Sequence, residues 1–426
     1  MGCKWQHASL GDICRLVGGS AFPRRYQGQS EGVPFIKVSD MNLSSNGWMI
    51  CKASNHVNEK VLVDIGAKKQ PRGATVFAKI GEALKADRTR MLTTETAIDN
   101  NMMAAIPKSG TDKWFLYYLI SWLRLSNYAE GSALPYLKQS TLNKIPITLP
   151  NSEVAQRKVV EILYELDSQI KLNTAQNGYL GELCESIASR QMDTAAKLSD
   201  LCYQVNDKKP YADAVLQSYV STESLLVNKG GRQTASSLPS SGKVTQYKVG
   251  DTLVSNIRPY FKKVWFADQD GTCSGDVIVF RAREAQNAPY VYSLLRTDSF
   301  FDWVMRGSKG TKMPRGDKKQ MMAYPICPSC ENADLSFLSS AVNKLCANER
   351  ENERLSKVRD TLLPKLMSGE MNVSKVDATQ PNSHLSELPQ EEVGQRSGWG
   401  FPSPPSLGVP DGGEGGRGRA WLRPWR

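Results

Sequence analysis

Residues 73–80 read Gly-Ala-Thr-Val-Phe-Ala-Lys-Ile, and residues 250–257 read Gly-Asp-Thr-Leu-Val-Ser-Asn-Ile. Each is a turn glycine feeding a short apolar run, the pattern of a strand. The echo continues outward in the same order. Tyr118–Arg124 matches Tyr290–Arg296, Gly131-Ser132 matches Gly307-Ser308, and Ile145-Pro146 matches Tyr324-Pro325. A period of roughly 175 residues outranks any local motif, because it means one structural unit made twice.

Each copy ends in a long helical pattern. Ile170, Asn173, Asn177 and Leu180 carry the same residue classes at the same spacing as Leu345, Asn348, Asn352 and Leu355. With Leu163 and Leu166 in the first copy and Leu338 and Val342 in the second, they trace a stripe alternating by three and four, a heptad seam. Two consecutive asparagines on both seams weaken a purely apolar interface, but facing amides fix register. The two helices are expected to pair with each other as an antiparallel coiled coil, since each stripe is long and narrow for its own unit to cover. A helix of about 38 residues makes a rod of roughly 57 Å, longer than one DNA turn of about 34 Å.

The expected architecture is mixed α/β, with units over residues 1–150 and 197–330. Helices follow over 151–196 and 331–372, then a tail over 373–426 that loses periodicity and is rich in Pro, Gly and Ser. Within the units, Val33–Val38, Thr75–Ile80, Met102–Ile106, Thr252–Ile257, Val264–Ala267 and Val277–Arg281 read as strands. Lys113–Leu125 and Ala288–Val304 read as helices. Trp399, Trp421 and Trp425 are unusual in the tail and receive no role.

Charge is partitioned along the same lines. Residues 1–150 hold 19 Lys/Arg against 11 Asp/Glu, and residues 197–330 hold 19 against 12, whereas both helices are slightly acidic. Two separate basic surfaces point to a polyanion, and nucleic acid is the natural one. No signal-peptide pattern or apolar run long enough to span a membrane occurs, so a cytoplasmic location without membrane association is expected. Nine cysteines without framework spacing suggest reduced thiols. Cys327-Pro-Ser-Cys330 has no second pair, and the three histidines, His7, His56 and His384, are scattered, so no metal site is expected.

Together these features resemble the specificity subunit of a type I restriction-modification system. The likeness runs over about residues 4–372. It rests on Leu10-Gly11-Asp12-Ile13, on Ser255-Asn256-Ile257-Arg258-Pro259-Tyr260, on Gly131–Leu137 leading to Asn143–Ile147, and above all on Arg359–Glu370. The resemblance implies two target recognition domains that read the halves of a gapped duplex DNA sequence, with the paired helices setting the gap. It also implies two modification subunits that bring S-adenosylmethionine, restriction (motor-nuclease) subunits that join them, and no cofactor on this chain.

The residues agree in lacking catalytic signatures. There is no Asn/Asp-Pro-Pro-Tyr/Phe loop, no Gly-rich cofactor fingerprint after a strand and no Gly-x4-Gly-Lys-Ser/Thr phosphate loop, which argues against the chain being itself a methyltransferase or nuclease. The other reading left open is a coiled-coil scaffold that binds proteins. Candidate DNA contacts are Arg258, Tyr260, Lys262 and Lys263 after the second copy's strand, with Lys79 to Lys85 as their counterparts. A second basic loop holds Lys309, Thr311, Lys312 and Arg315, with Tyr136 and Lys138 in the matching place. Arg24, Arg25 and Tyr26 add a basic-aromatic group. Guanidinium forks suit guanine edges and ammonium groups suit phosphates.

Overall fold

The computed structural model describes residues 4–43, 45–131, 134–190, 196–310, 312–327 and 330–371. The expectations for the tail over 373–426, and for Thr311, lie outside the described residues.

The run Thr75–Ala78 is buried along its whole length because its sheet is covered on both faces. Val76 packs with Met102 and Ala104 on one side. Phe77 packs with Met103 and Ala105 under the helix Lys113–Leu123 on the other. The strand order in this sheet is Cys14–Gly18, Met102–Pro107, Thr75–Ala78, Thr89–Leu92, Met49–Ile50. In the second half it is Cys202–Gln204, Val277–Ala282, Thr252–Ser255, Val264–Phe266, the same order without the last short strand. A smaller sheet accompanies each, and both contain one parallel pair, Phe35↔Ala97 in the first half and Tyr219↔Thr272 in the second. A two-stranded ribbon closes each half: Trp5–Ser9 with Pro146–Pro150, and Ala196–Lys197 with Pro325–Ile326. The fold is mixed α/β.

The repeat extends to details that the residue alignment misses. Leu10–Ile13 is one helical turn held by Asp12, whose carboxylate accepts from Ser9 N at 2.8 Å, while Leu10 N donates to Ile145 O at 2.9 Å. Leu198–Leu201 repeats it, with Asp200 accepting from Lys197 N at 2.9 Å and Leu198 N donating to Tyr324 O at 2.8 Å. Two sequence expectations are corrected. The helix expected over Ala288–Val304 is two helices, Ala288–Arg296 and Asp298–Arg306, broken at Thr297, which is extended and caps the second through Phe300 N. The match of Tyr118 to Tyr290 is three residues out of step. Side chains added at Gly73 and Gly250 would meet Lys113 and Ala288, and the helices begin after Asp112 and Asn287, so Tyr118 takes the place of Ser293. Three residues is nearly one helical turn, so the slipped match keeps the apolar face intact.

The long helices are Glu153–Arg190 and Asn332–Met367, of 38 and 36 residues. Their contacts run in opposite directions along the chain: Arg359 Nη1 donates to Asp167 at 2.7 Å, Asn173 Nδ2 to Asn352 Oδ1 at 3.0 Å and Asn348 Nδ2 to Asn177 Oδ1 at 2.8 Å. The seam is not uniform. Leu163 is part of the first half's core together with Leu366 and Met367, and Leu338, Val342 and Leu345 join the second half's core with Cys184 and Ile187. Between them the stripe is mixed: Asn173 and Asn348 are buried, while Leu166, Ile170, Asn177, Leu180, Asn352 and Leu355 are half-buried. The helix ends are thus covered by the globular halves, contrary to the expectation that each stripe is too long and narrow for its own unit to cover. The Arg359–Glu370 phrase has a local reason. Gly369, at φ +76°, ends the last helix against the Trp5 ring, where a Cβ would come within 2.8 Å.

No disulfide joins the eight described cysteines. Among the described residues no group of three His, Cys, Asp or Glu could hold a metal, and no helix is long and apolar enough to cross a membrane.

Candidate nucleic-acid interface

Where Thr252–Ser255 leaves its sheet, the chain meets the hairpin that carries the second basic loop. Arg258 N donates to Pro314 O at 2.8 Å, and Gly316 N donates to Asn256 O at 3.3 Å, bridging Ile257 to Arg315. Arg315 in turn exchanges backbone hydrogen bonds with Lys309 at 2.9 and 3.0 Å, around Gly310 at φ +97°. Two loops separated by some fifty residues therefore form one surface that carries Arg258, Tyr260, Lys309, Lys312 and Arg315.

The first half builds the same junction. Gly81 N donates to Pro135 O and Leu137 N to Lys79 O, both at 2.8 Å, and Ile80 bridges Tyr136, which pairs with Glu130 around Gly131 at φ +86°. Lys79 therefore takes the place of Asn256, Gly81 that of Arg258, Glu130 that of Lys309, and Tyr136 that of Arg315. Gly131 corresponds to Gly310 and not to Gly307, which corrects the alignment made from residues alone. The hairpins also share an ion pair of opposite polarity. Glu130 binds Lys138 in the first half, and Lys309 lies 3.7 Å from Asp317 in the second, each pair joining the hairpin to the start of the next short helix. Residue-class matching cannot see an exchanged pair.

The candidate side chains differ in their freedom. Tyr260 is 46% exposed beside Phe261, and Lys309 and Lys312 are exposed. Arg315 is held 3.1 Å from Asp276. Arg258 is half-buried at φ +50°, a left-handed conformation unusual for a side chain of its size, and its Nε is buried without a hydrogen-bond partner. Asn256 Oδ1 beside it is likewise unsatisfied. Lys262 is paired with Asp298 at 2.9 Å, and Lys263 Nζ donates to Thr222 O at 2.5 Å, where burial lowers its pKa. Those two ammonium groups are engaged within the chain.

In the first half, Lys79 is half-buried beside Gly18, and Lys85 is paired with the exposed Glu82 at 2.7 Å. Lys138 lies 5.7 Å from the Tyr136 ring centre, and its hydrogen bond to Glu130 raises its pKa. Arg24, Arg25 and Tyr26 form a 3-10 turn, with Arg25 stacked 4.8 Å from the Tyr26 ring. Tyr26 packs with Phe22 and Phe35 in the cluster of the small sheet, so this group belongs to that cluster and not to the junction.

Comparison with known proteins finds similarity over part of the chain. Residues 3–180 match the family described as "Type I restriction modification DNA specificity domain". The chain is 29% identical over 192 residues to the type I restriction enzyme MjaIX specificity subunit of Methanocaldococcus jannaschii, a match covering 43% of this chain and 42% of that one. It is 20% identical over 260 residues to the type I restriction enzyme EcoDI specificity subunit of Escherichia coli, covering 50% and 58%. The matches thus span about half the length of these curated relatives. Among solved structures, the type I restriction-modification S subunit from M. genitalium shares the fold, with a TM-score of 0.53, 13% identity, and coverage of 86% of this chain and 96% of that one. Residues 3–180 are thus similar to the DNA specificity domain of type I restriction-modification systems, and the chain is similar over about half its length to two of their specificity subunits.

Proposed function

We propose that this chain is a non-catalytic recognition subunit that reads a bipartite, gapped sequence in double-stranded DNA and directs partner subunits to it. The observation that carries the reading is the junction built twice, each time bringing a strand-exit loop and a hairpin of basic or aromatic residues onto one surface of a positively charged half. In this reading residues 1–150 and 197–330 are the two target recognition domains. Basic side chains give sequence-independent attraction to phosphates, and Arg258 and Arg315 supply the forks suited to guanine edges. The antiparallel helices act as a coiled-coil ruler for the gap. Two modification subunits carrying S-adenosylmethionine, and restriction subunits with them, perform methylation and cleavage in the cytoplasm.

The test is methylation sequencing of cells that express this chain with a type I modification subunit, against cells with the modification subunit alone. A split, gapped methylated motif that depends on the chain is the expected result. A soluble complex that methylates no motif would favour the scaffold reading.

A further inference from the structure

The loop that carries Arg258 is tied to the first long helix by a run of alternating charges. Lys262 Nζ lies 2.9 Å from Asp298 Oδ1, and Lys229 Nζ lies 2.7 Å from the same oxygen. Lys229 Nζ also lies 2.7 Å from Glu185 Oε2, on the helix Glu153–Arg190, and the other oxygen of Glu185 lies 3.4 Å from the buried Arg296 Nε. Lys229 and Glu185 are largely shielded from water, at 14% and 18% side-chain exposure, so their attraction is screened less than that of a surface pair. The backbone follows the same path: Asn228 N donates to Phe261 O and Lys229 N to Lys262 O, both at 2.8 Å.

The place is also where the backbone is most constrained. Six non-glycine residues among those described have positive φ, and four of them, Asn228, Lys229, Arg258 and Lys262, lie in these two touching loops. A left-handed conformation is costly for Arg and Lys, though less so for Asn, and for such side chains it persists only where the surroundings over-determine it. The first half has Gly81 in place of Arg258, which holds its positive φ without such support. Asp298 is itself informative. An exposed carboxylate beside the lysine of a DNA-facing loop repels phosphate, so on electrostatic grounds alone it opposes binding.

We propose that Asp298, Lys229 and Glu185 are positioning residues for base reading by the second half. They clamp the Arg258–Lys262 loop in its left-handed form against the helix, so that the Arg258 guanidinium is presented in one orientation. The inference rests on the DNA-reading function proposed above. It makes Lys262 a structural tie and not a phosphate contact, and it makes the position of the helix part of the reading geometry.

The experiment uses the full-length chain and a pool of random-sequence duplex DNA. Bound duplexes are sequenced, and affinities for the selected duplex and its single-base variants are measured at one fixed salt concentration. Asp298→Asn should lower discrimination at the second half's half-site by about ten-fold, leaving the first half-site unchanged. Lys262→Gln should give the same loss, and the double variant no greater loss than either alone, the signature of residues acting as one unit. Glu185→Gln, remote from the DNA-facing loop, should reproduce the loss and serves in place of Asp298→Asn if that variant does not fold. Higher overall affinity with discrimination intact in Asp298→Asn is what simple removal of a negative charge would give, and overturns the proposal. If the unaltered chain selects no motif, the DNA-reading function falls and this inference with it. If the unaltered chain selects a motif and the variants retain full discrimination, the inference alone falls.

Discussion

Asn348 donates from Nδ2 to Asn177 Oδ1 at 2.8 Å, and the residues at the corresponding repeat positions, Asn173 and Asn352, make the reciprocal bond at 3.0 Å. Each amide thus meets the repeat counterpart of its neighbour. Asn348 is fully buried and also donates to Gln176 Oε1 at 2.8 Å, so truncation removes two hydrogen bonds. Asn348→Ala should cost about 1–3 kcal/mol, read as a lower midpoint of thermal unfolding. Leucine at all four positions should raise the midpoint while loosening register, detectable as altered cross-linking between paired cysteines placed along the two helices.

A methyl group at Gly181 would lie 2.3 Å from Arg296 Nη2. That guanidinium is buried, with its Nη1 bonded to Tyr292 Oη at 2.9 Å, and cannot swing aside freely. Gly181→Ala should therefore destabilise by about 1–3 kcal/mol, whereas Gly178→Ala, with nothing near it on the same helix, should be neutral or stabilising. Chemical denaturation of the two variants compares them directly.

Burial pushes the Glu349 carboxyl up to about 7, against a hydrogen bond from Trp265 Nε1 at 3.1 Å that acts the other way. Asp268 raises it further, while Arg296 and Arg232 pull it down. In the unfolded chain the carboxyl ionises near its ordinary value of 4.5. Its protonated form is favoured by folding, so its contribution is fully present below that value and is lost as pH rises through about 7. Stability measured from pH 5 to 8 should fall for the unaltered chain, and Glu349→Gln should flatten that fall.

Arg258→Ala should relax base preference in one half-site by about 1–3 kcal/mol. Lys312, exposed at the hairpin tip, is suited to a phosphate: Lys312→Ala should weaken all duplexes alike and reduce the salt dependence by about one ion. Competition binding across a salt series separates the two. Uniform weakening by Arg258→Ala would reassign it to the phosphates.

Removing one heptad from each long helix preserves the seam and shortens the rod by roughly 10 Å. The gap in the methylated motif should contract by about three base pairs. An unchanged gap would mean that the helices do not set it.

The strands Thr75–Ala78 and Thr252–Ser255 are legible in the sequence because burial on both faces leaves a continuous apolar run after a glycine turn. The Asn173/Asn177 and Asn348/Asn352 spacing is legible because amides on an otherwise apolar stripe stand out. Less of the interface can be read. Pairing Glu130 with Lys138 and Lys309 with Asp317 conserves an interaction while exchanging the residue types, so it leaves no trace in an alignment. The junction of Arg258 with Pro314 is made by backbone atoms, which carry no residue identity at all. Lys262 and Lys263 look like any loop lysines until Asp298 and Thr222, distant in the chain, come within reach.

That both junctions are held through main-chain hydrogen bonds has an evolutionary consequence. At Tyr136 and Arg315 a side chain can be exchanged without unpairing any of these main-chain bonds. Drift at these positions alters the chemistry offered to a partner while the scaffold stays folded, so new preferences can arise by single substitutions, independently in each half. Arg258 is the counterexample: its left-handed backbone and buried guanidinium nitrogen make it slow to change, and descendants of this chain should vary around it before they vary at it.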